Sequence, residues 1–223
     1  MEYRVISIGA LSQNPIWDEK IPVRTSHATT TLIKAGDRNI LVDPGLPPEA
    51  LVARLNERSG LLPNQITDIF LTNFRPAHRR GISAFDGAKW WIAEAEREAM
   101  GQHLIEQFEA IDDEEARDIL RQEIALLQRI KAAEDSLAQG VDLFPLPGFT
   151  PGTCGLLLTL SSATVLIAGD GVISEEHMSA GKVLQRCYDV KQAQESLLEA
   201  VEIADWVIAG HDNIFPNMTR RMF

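Results

Sequence analysis

Short apolar runs crowd both ends of this chain and leave a long middle stretch with few helix breakers, an alternation that limits the available folds more than any other feature. Residues 3–8, 29–34 and 39–42 read as strands, and the "AGDRN" between the last two is hairpin chemistry. Asp43-Pro44-Gly45 turns the chain toward a helix over 48–58, where Leu51, Val52 and Leu55 recur at helical spacing. "ITDIFLT" and "KWWIA" are the next strands, the latter suited by its tryptophan pair to a packed sheet. After the middle, strands resume over 141–145, 155–160, 164–168 and "DWVIAG", with "SSAT" as a tight connection. A helix over 190–204 is expected to turn Leu197, Leu198 and Val201 inward. Two β-rich halves, each followed by helices, predict an α/β (α+β) fold built as a four-layer αββα sandwich.

The middle differs in character. From Glu94 to Gln139, apolar residues at Leu120, Ile124 and Leu127, and again at Leu126, Ile130 and Leu137, repeat at helical intervals, and Asp112-Asp113 marks a break with an N-cap. This segment, about 94–139, reads as a helical insertion in a single domain of 1–223. Its apolar stripes are expected to cover the parent core; a homodimer interface or a lid over a site are the other roles it could take.

Charge narrows the partners. The formal net charge of −11 disfavours a nucleic-acid backbone, and the one basic cluster, Arg75 with Arg79 and Arg80, is too small to reverse that. Cys154 and Cys187 form neither a CxxC pair nor a disulfide framework and are expected to pack as small hydrophobes. The N-terminus opens directly on a strand-like run, and no apolar stretch is long enough for a bilayer, so a soluble, cytoplasmic protein without a membrane partner is expected.

Four landmarks appear in order along the chain: "TTTLIKAGDRNILVDPG", "IFLTNFRPAHRRG", "PGFTPGTCGLLL", and the pair "LIAGDGV" and "VIAGHDN". Together they resemble the metallo-β-lactamase superfamily, whose strand-loop-helix signature reads H-x-H-x-D-H. The resemblance implies the sandwich fold and seven ligands for two adjacent metals, usually zinc. On that frame Asn73, Arg75 and Phe149 stand where the first metal has its three histidines. The second metal would be reached through Ala77, His78 and His211, with Asp170 bridging both, so His78, Asp170 and His211 are the ligand-competent positions that remain. Phenylalanine cannot ligate, asparagine is a poor zinc ligand and arginine is a permanent cation, so the first site is expected to be empty. Two imidazoles and a carboxylate remain a legitimate set for one ion.

Without a metal, Asp170 would be a costly buried carboxylate, and Arg75 is expected to pair with it as the replacing cation. Asp43 reads as a turn and hydrogen-bond former, and Gly148, Gly152 and Gly210 as backbone turns near the site. His27 has no assigned place in the pocket, and His103 and His177 are given no role, a histidine in a fold being more often structural than a ligand. The leading expectation is a hydrolase-like protein whose two-metal site is largely lost, a pseudoenzyme or a binding module for a small molecule or protein, with no cofactor. The alternative is a mono-metal hydrolase of ester, lactone, thioester or β-lactam-like bonds, using one zinc, iron or manganese ion on His78, Asp170 and His211. A third reading is metal-free catalysis, with His78 or His211 as base and Arg75 as oxyanion stabiliser. Whether the chain is an enzyme stays open among these.

Overall fold

In the computed structural model, which describes residues 1–219, the chain first lays down β1 (Glu2–Ser7), β2 (Thr30–Ala35) and β3 (Arg38–Val42) as an antiparallel meander. The strands β4 (Asp68–Leu71), β5 (Lys89–Ile92) and β6 (Lys131–Ala132) then join in parallel, in the order β1-β2-β3-β4-β5-β6. A second sheet runs β12-β11-β10-β9-β8-β7, made of β7 (Ser136–Ala138), β8 (Val141–Pro145), β9 (Cys154–Thr159), β10 (Thr164–Gly169), β11 (Trp206–Ala209) and β12 (Ile214–Pro216). Among the described residues, only β10 and β11 pair in parallel there.

Strand periodicity explains the layering. Ile33, Ile40, Val42 and Phe70 point from the first sheet into a shared core with Leu156, Leu158, Val165 and Ile167 of the second. The alternate residues Leu41, Ile69 and Leu71 face the other way, toward α1 (Pro48–Ser59), α3 (Glu94–Ala110) and α4 (Glu114–Arg129), through Leu51, Leu55, Leu104 and Leu127. On the far side, Leu166, Ala168 and Val207 meet Leu197 and Ala200 of α6 (Val190–Ile203). The result is the αββα sandwich, and because central strands are covered on both faces they read as continuous apolar runs. No helix among the described residues is long and apolar enough to cross a membrane.

Several local expectations change. Leu198 is 63% exposed, and α6 buries Ala193, Leu197 and Ala200 instead, because small residues let the helix approach the sheet. The helical middle stops at Arg129. Ile130 and Leu137, seven apart, read as one helical stripe, yet the first lies beneath the helices and the second between the sheets. The segment joining them crosses from β6 in one sheet to β7 in the other. The break at Asp112-Asp113 is where the sequence places it, with the Asp113 carboxylate accepting from the Ala116 N–H at 2.8 Å.

At the end of the sheet where β4 begins, Asp68 is 2% exposed yet fully partnered. It accepts from Arg38 Nε at 2.9 Å, Trp91 Nε1 at 2.8 Å and Thr67 Oγ1 at 2.7 Å. Burial pushes its carboxyl up, but the Arg38, Thr67 and Trp91 hydrogen bonds outweigh that and hold it below 3.8. Its stabilisation is therefore present above the unfolded-state value and lost as pH falls through the lower folded value. Asp68→Asn is expected to lower urea-unfolding stability by about 1–3 kcal/mol at neutral pH, with the gap narrowing as the pH falls through the lowered Asp68 value. A gap that widened on acidification would contradict this account.

Candidate metal centre

The site forms at the carboxyl ends of the parallel strands, where open α/β sheets leave a crevice. Asp43 follows β3, Thr72 and Asn73 follow β4, Asp170 follows β10 and His211 follows β11, while His78 sits on the short α2 (Pro76–Arg79). Asp43 takes φ 50, a left-handed turn that points its carboxylate back at the end of β4. There it accepts from the Thr72 N–H at 2.9 Å and the Thr72 Oγ1 hydroxyl at 2.7 Å. The Thr72 carbonyl in turn accepts from the Cys154 N–H at 2.9 Å, a peptide hydrogen bond between the two sheets. Gly169, at φ +52, packs so closely on Thr72 that an added Cβ would lie 2.2 Å from its Oγ1.

His78 is the centre of the arrangement and is 0% exposed. Its Nδ1 lies 2.9 Å from Asp43 Oδ2, and its Nε2 lies 2.8 Å from Asp170 Oδ2. Burial pulls the His78 pKa down, but the negative charges of Asp170 and Asp43 outweigh it and raise the value from 6.5 to about 10. Burial likewise pushes the Asp170 carboxyl up, and His78 with His211 more than reverses this, holding it well below the usual range. His211 Nε2 lies 3.0 Å from Asp170 Oδ1, out of hydrogen-bond alignment, and its Nδ1 is held 3.0 Å from the His27 carbonyl. Asp170 Oδ1 is buried and has no aligned hydrogen-bond donor among the described residues.

The substituted positions have definite occupants. Asn73 Nδ2 donates to Asp170 Oδ2 at 3.0 Å, and its Oδ1 accepts from the Arg75 N–H at 3.0 Å. The Arg75 guanidinium lies over the Phe149 ring, 4.5 Å from its centroid. The expected Arg75–Asp170 pair is therefore corrected: Arg75 makes no ion pair with Asp170 among the described residues, because His78, His211 and Asn73 already surround that carboxylate. Ala77 lines the cavity above the site and uses its carbonyl to accept from the Ala28 N–H at 2.9 Å.

Some residues that build the site were not singled out from the sequence. Glu96, 0% exposed in the first turn of α3, accepts from the Phe74 N–H at 2.9 Å, the Thr150 Oγ1 hydroxyl at 2.7 Å and the Gly152 N–H at 3.1 Å. Gly152 permits this approach, since a Cβ there would come within 2.1 Å of the Glu96 backbone nitrogen. The start of α3 thus holds two of the site loops. His177, expected to have no role, lies on the short α5 (Glu175–Ser179) and lines the same cavity, its Nδ1 2.8 Å from Ser174 Oγ. Burial lowers its pKa below 6.5.

The donor set fits one divalent cation. The candidate ligand atoms of His78, Asp170 and His211 all lie within 4.8 Å of one another. A tetrahedral site with bonds of about 2.0–2.1 Å sets its donors roughly 3.3 Å apart. Each imidazole has its Nδ1 held by Asp43 or by a backbone carbonyl, which aims Nε2 inward in the manner of a metal-ligating histidine. Two buried carboxylates around one imidazole also call for a positive charge, which a proton on His78 or a metal ion supplies.

Comparison with known proteins agrees with this architecture. The profile of the metallo-beta-lactamase superfamily matches residues 23–211. A Thermotoga maritima protein of the metallo-beta-lactamase type superposes with a TM-score of 0.69 at 19% identity, over 96% of this chain and 98% of that one. AidC, a dizinc quorum-quenching lactonase, gives 0.66 at 19% identity, over 82% of this chain and 72% of its own. A B. thuringiensis AiiA variant carrying N-decanoyl-L-homoserine at its active site gives 0.64 at 19%, over 99% and 94%. No curated protein matches the sequence.

Removing the Asp43 carboxylate leaves the Thr72 N–H and His78 Nδ1 without their buried partner. Asp43→Ala is expected to lower unfolding stability by about 3–5 kcal/mol. Thr72→Val, which removes one hydroxyl, is expected to cost only about 1–2 kcal/mol. Urea titrations ranking the two the other way would refute the hierarchy.

Proposed function

The chain belongs to the metallo-β-lactamase superfamily, and from that premise we propose that it is a hydrolase of ester-like bonds working with one divalent cation held by His78, Asp170 and His211. The observation that carries this is Asp170 Oδ1, a buried carboxylate oxygen lacking an aligned donor inside a cluster of two imidazoles. About three protein ligands and one open position is the pattern of a catalytic zinc site. When bound, such an ion supplies Lewis-acid polarisation of a carbonyl and a water acidic enough to react near neutral pH.

The chain's own residues supply the rest. Asp43 and the His27 carbonyl fix the two imidazole rings. Asn73 and Phe149 occupy positions that in a two-metal centre would ligate the other ion, so one ion is the expected load. A cavity of about 610 Å³ opens above Asp170 and His211, a size that suits a small molecule. In the reaction, the water oxygen bonds to the acyl carbon, the C–O or C–S bond breaks, and the departing group takes a proton. The products are a carboxylic acid and an alcohol or thiol. The lactonase chemistry of AidC and the N-acyl-homoserine bound by AiiA favour ester-like substrates for this chain as well.

A second reading keeps the scaffold but not the chemistry. His78 bridges Asp43 and Asp170 by itself, which favours a metal-free binding module in which a protonated imidazole is the internal cation. Metal content separates the two. Elemental mass spectrometry of protein purified without chelator and then incubated with zinc is expected to find about one ion per chain. His211→Ala and Asp170→Ala should each abolish that ion, and chelation should abolish ester or lactone turnover. No ion under any condition would reject the hydrolase reading in favour of the binding module.

The combined variant Asn73→His, Arg75→His, Ala77→Asp and Phe149→His is expected to raise the load to about two ions. A folded variant that still bound one would show that these positions do not form the other metal's shell.

A further inference from the structure

The cavity over the centre has a mixed lining. It includes the apolar Leu11, Pro15 and Ile16 and the cationic Arg75, Lys182 and Arg186. Among the described residues Asp170 is the only carboxylate lining it, and its oxygens already face His78, His211 and Asn73. This is unexpected in a chain of net charge −11, where acidic side chains are abundant. Elsewhere arginines find acidic partners: Arg79 pairs with Glu123, Arg129 with Asp86 and Arg121 with Glu114. Arg75, Lys182 and Arg186 pair with no acidic side chain among the described residues.

The backbone that carries these cations is anchored at several points. Arg75 is spread on the Phe149 ring. The Lys182 N–H donates to the His177 carbonyl at 2.9 Å, fixing the start of the segment that carries Lys182 and Arg186. At the other end, the Tyr188 N–H donates to the Phe149 carbonyl at 3.1 Å and the Asp189 N–H to the Gly148 carbonyl at 2.9 Å. Like charges lining one cavity repel each other unless an anion sits among them, and their summed potential favours an anionic visitor.

We propose that the cavity selects an ester-like substrate bearing an anionic group, a carboxylate or a phosphate, which Arg75, Lys182 and Arg186 bind while its aliphatic part lies on Leu11 and Ile16. The inference rests on the reading of His78, Asp170 and His211 as a hydrolytic centre beneath the same cavity. It places the anion at the cavity wall and the scissile carbonyl toward the floor, so the charge selects the substrate without entering the reaction.

The test uses ligands that are not turned over. Calorimetry would compare N-butylhexanamide with the same amide ending in a carboxylate and with one ending in a phosphate, on full-length protein with and without zinc. At least one anion is expected to bind ~10-fold or more tightly than the neutral amide, with an advantage that shrinks at high salt. Which anion gains more identifies the group. Lys182→Ala with Arg186→Ala, both exposed positions, should remove most of that advantage, and Lys182→Arg with Arg186→Lys should retain it. Equal affinity for neutral and anionic amides, no binding of any of them, or an advantage untouched by the double alanine variant would overturn the proposal. Anion preference persisting in a protein that binds no metal and turns over no ester would instead reject the hydrolytic centre alone.

Discussion

One buried imidazole serving two buried carboxylates is the constraint around which this site is organised. Asp43 and Asp170 come from different sheets, and His78 between them is the group that makes their burial tolerable. Removing charge from water costs several kcal/mol per ion unless it is paired and hydrogen-bonded. The surrounding details serve that need. The left-handed turn at Asp43, both donors of Thr72 and the amide of Asn73 each give a carboxylate oxygen a partner. The one oxygen not so served faces His211.

The replaced ligand positions form a coherent surface. Asn73 supplies a donor where an imidazole would present a lone pair, and Phe149 supplies an aromatic face on which a guanidinium rests. The delocalised guanidinium charge of Arg75 thus lines the cavity, attached to the chain. The centre is uneven as a result: His78, Asp170 and His211 group donors that could hold a metal ion, while Arg75 and Phe149 offer none.

Much of this was legible in the sequence, for identifiable reasons. Strands covered on both faces announce themselves as apolar runs, and the ordered turn motifs placed His78, Asp170 and His211 together before any coordinates. Pairing was harder to read. Arg75 looked like the natural partner for Asp170 because a residue-by-residue mapping cannot count how many donors already surround a carboxylate. Thr72 at a strand end is indistinguishable from ordinary β-propensity, and Glu96 in a polar helix resembles any solvent-facing glutamate, although it is 0% exposed. The spacing of Ile130 and Leu137 misled for a geometric reason, since a heptad interval is also what a short crossover between layers can produce. Leu198 was misjudged because local periodicity does not say how wide a stripe of a helix its neighbours will cover.

The peptide link from the Cys154 N–H to the Thr72 carbonyl has a consequence for motion. It joins the sheets directly behind the site, with Gly169 pressed against the same threonine. Separating the sheets there would break this link and pull on the Asp43–His78–Asp170 chain that spans them, so opening at this point is opposed by both. The Cys154 amide should therefore belong to the slowest-exchanging set of protons, those released only when the whole molecule unfolds. Flexibility for admitting a ligand must then come from the cavity rim, around Ile16 and Leu184, and not from any breathing of the sandwich.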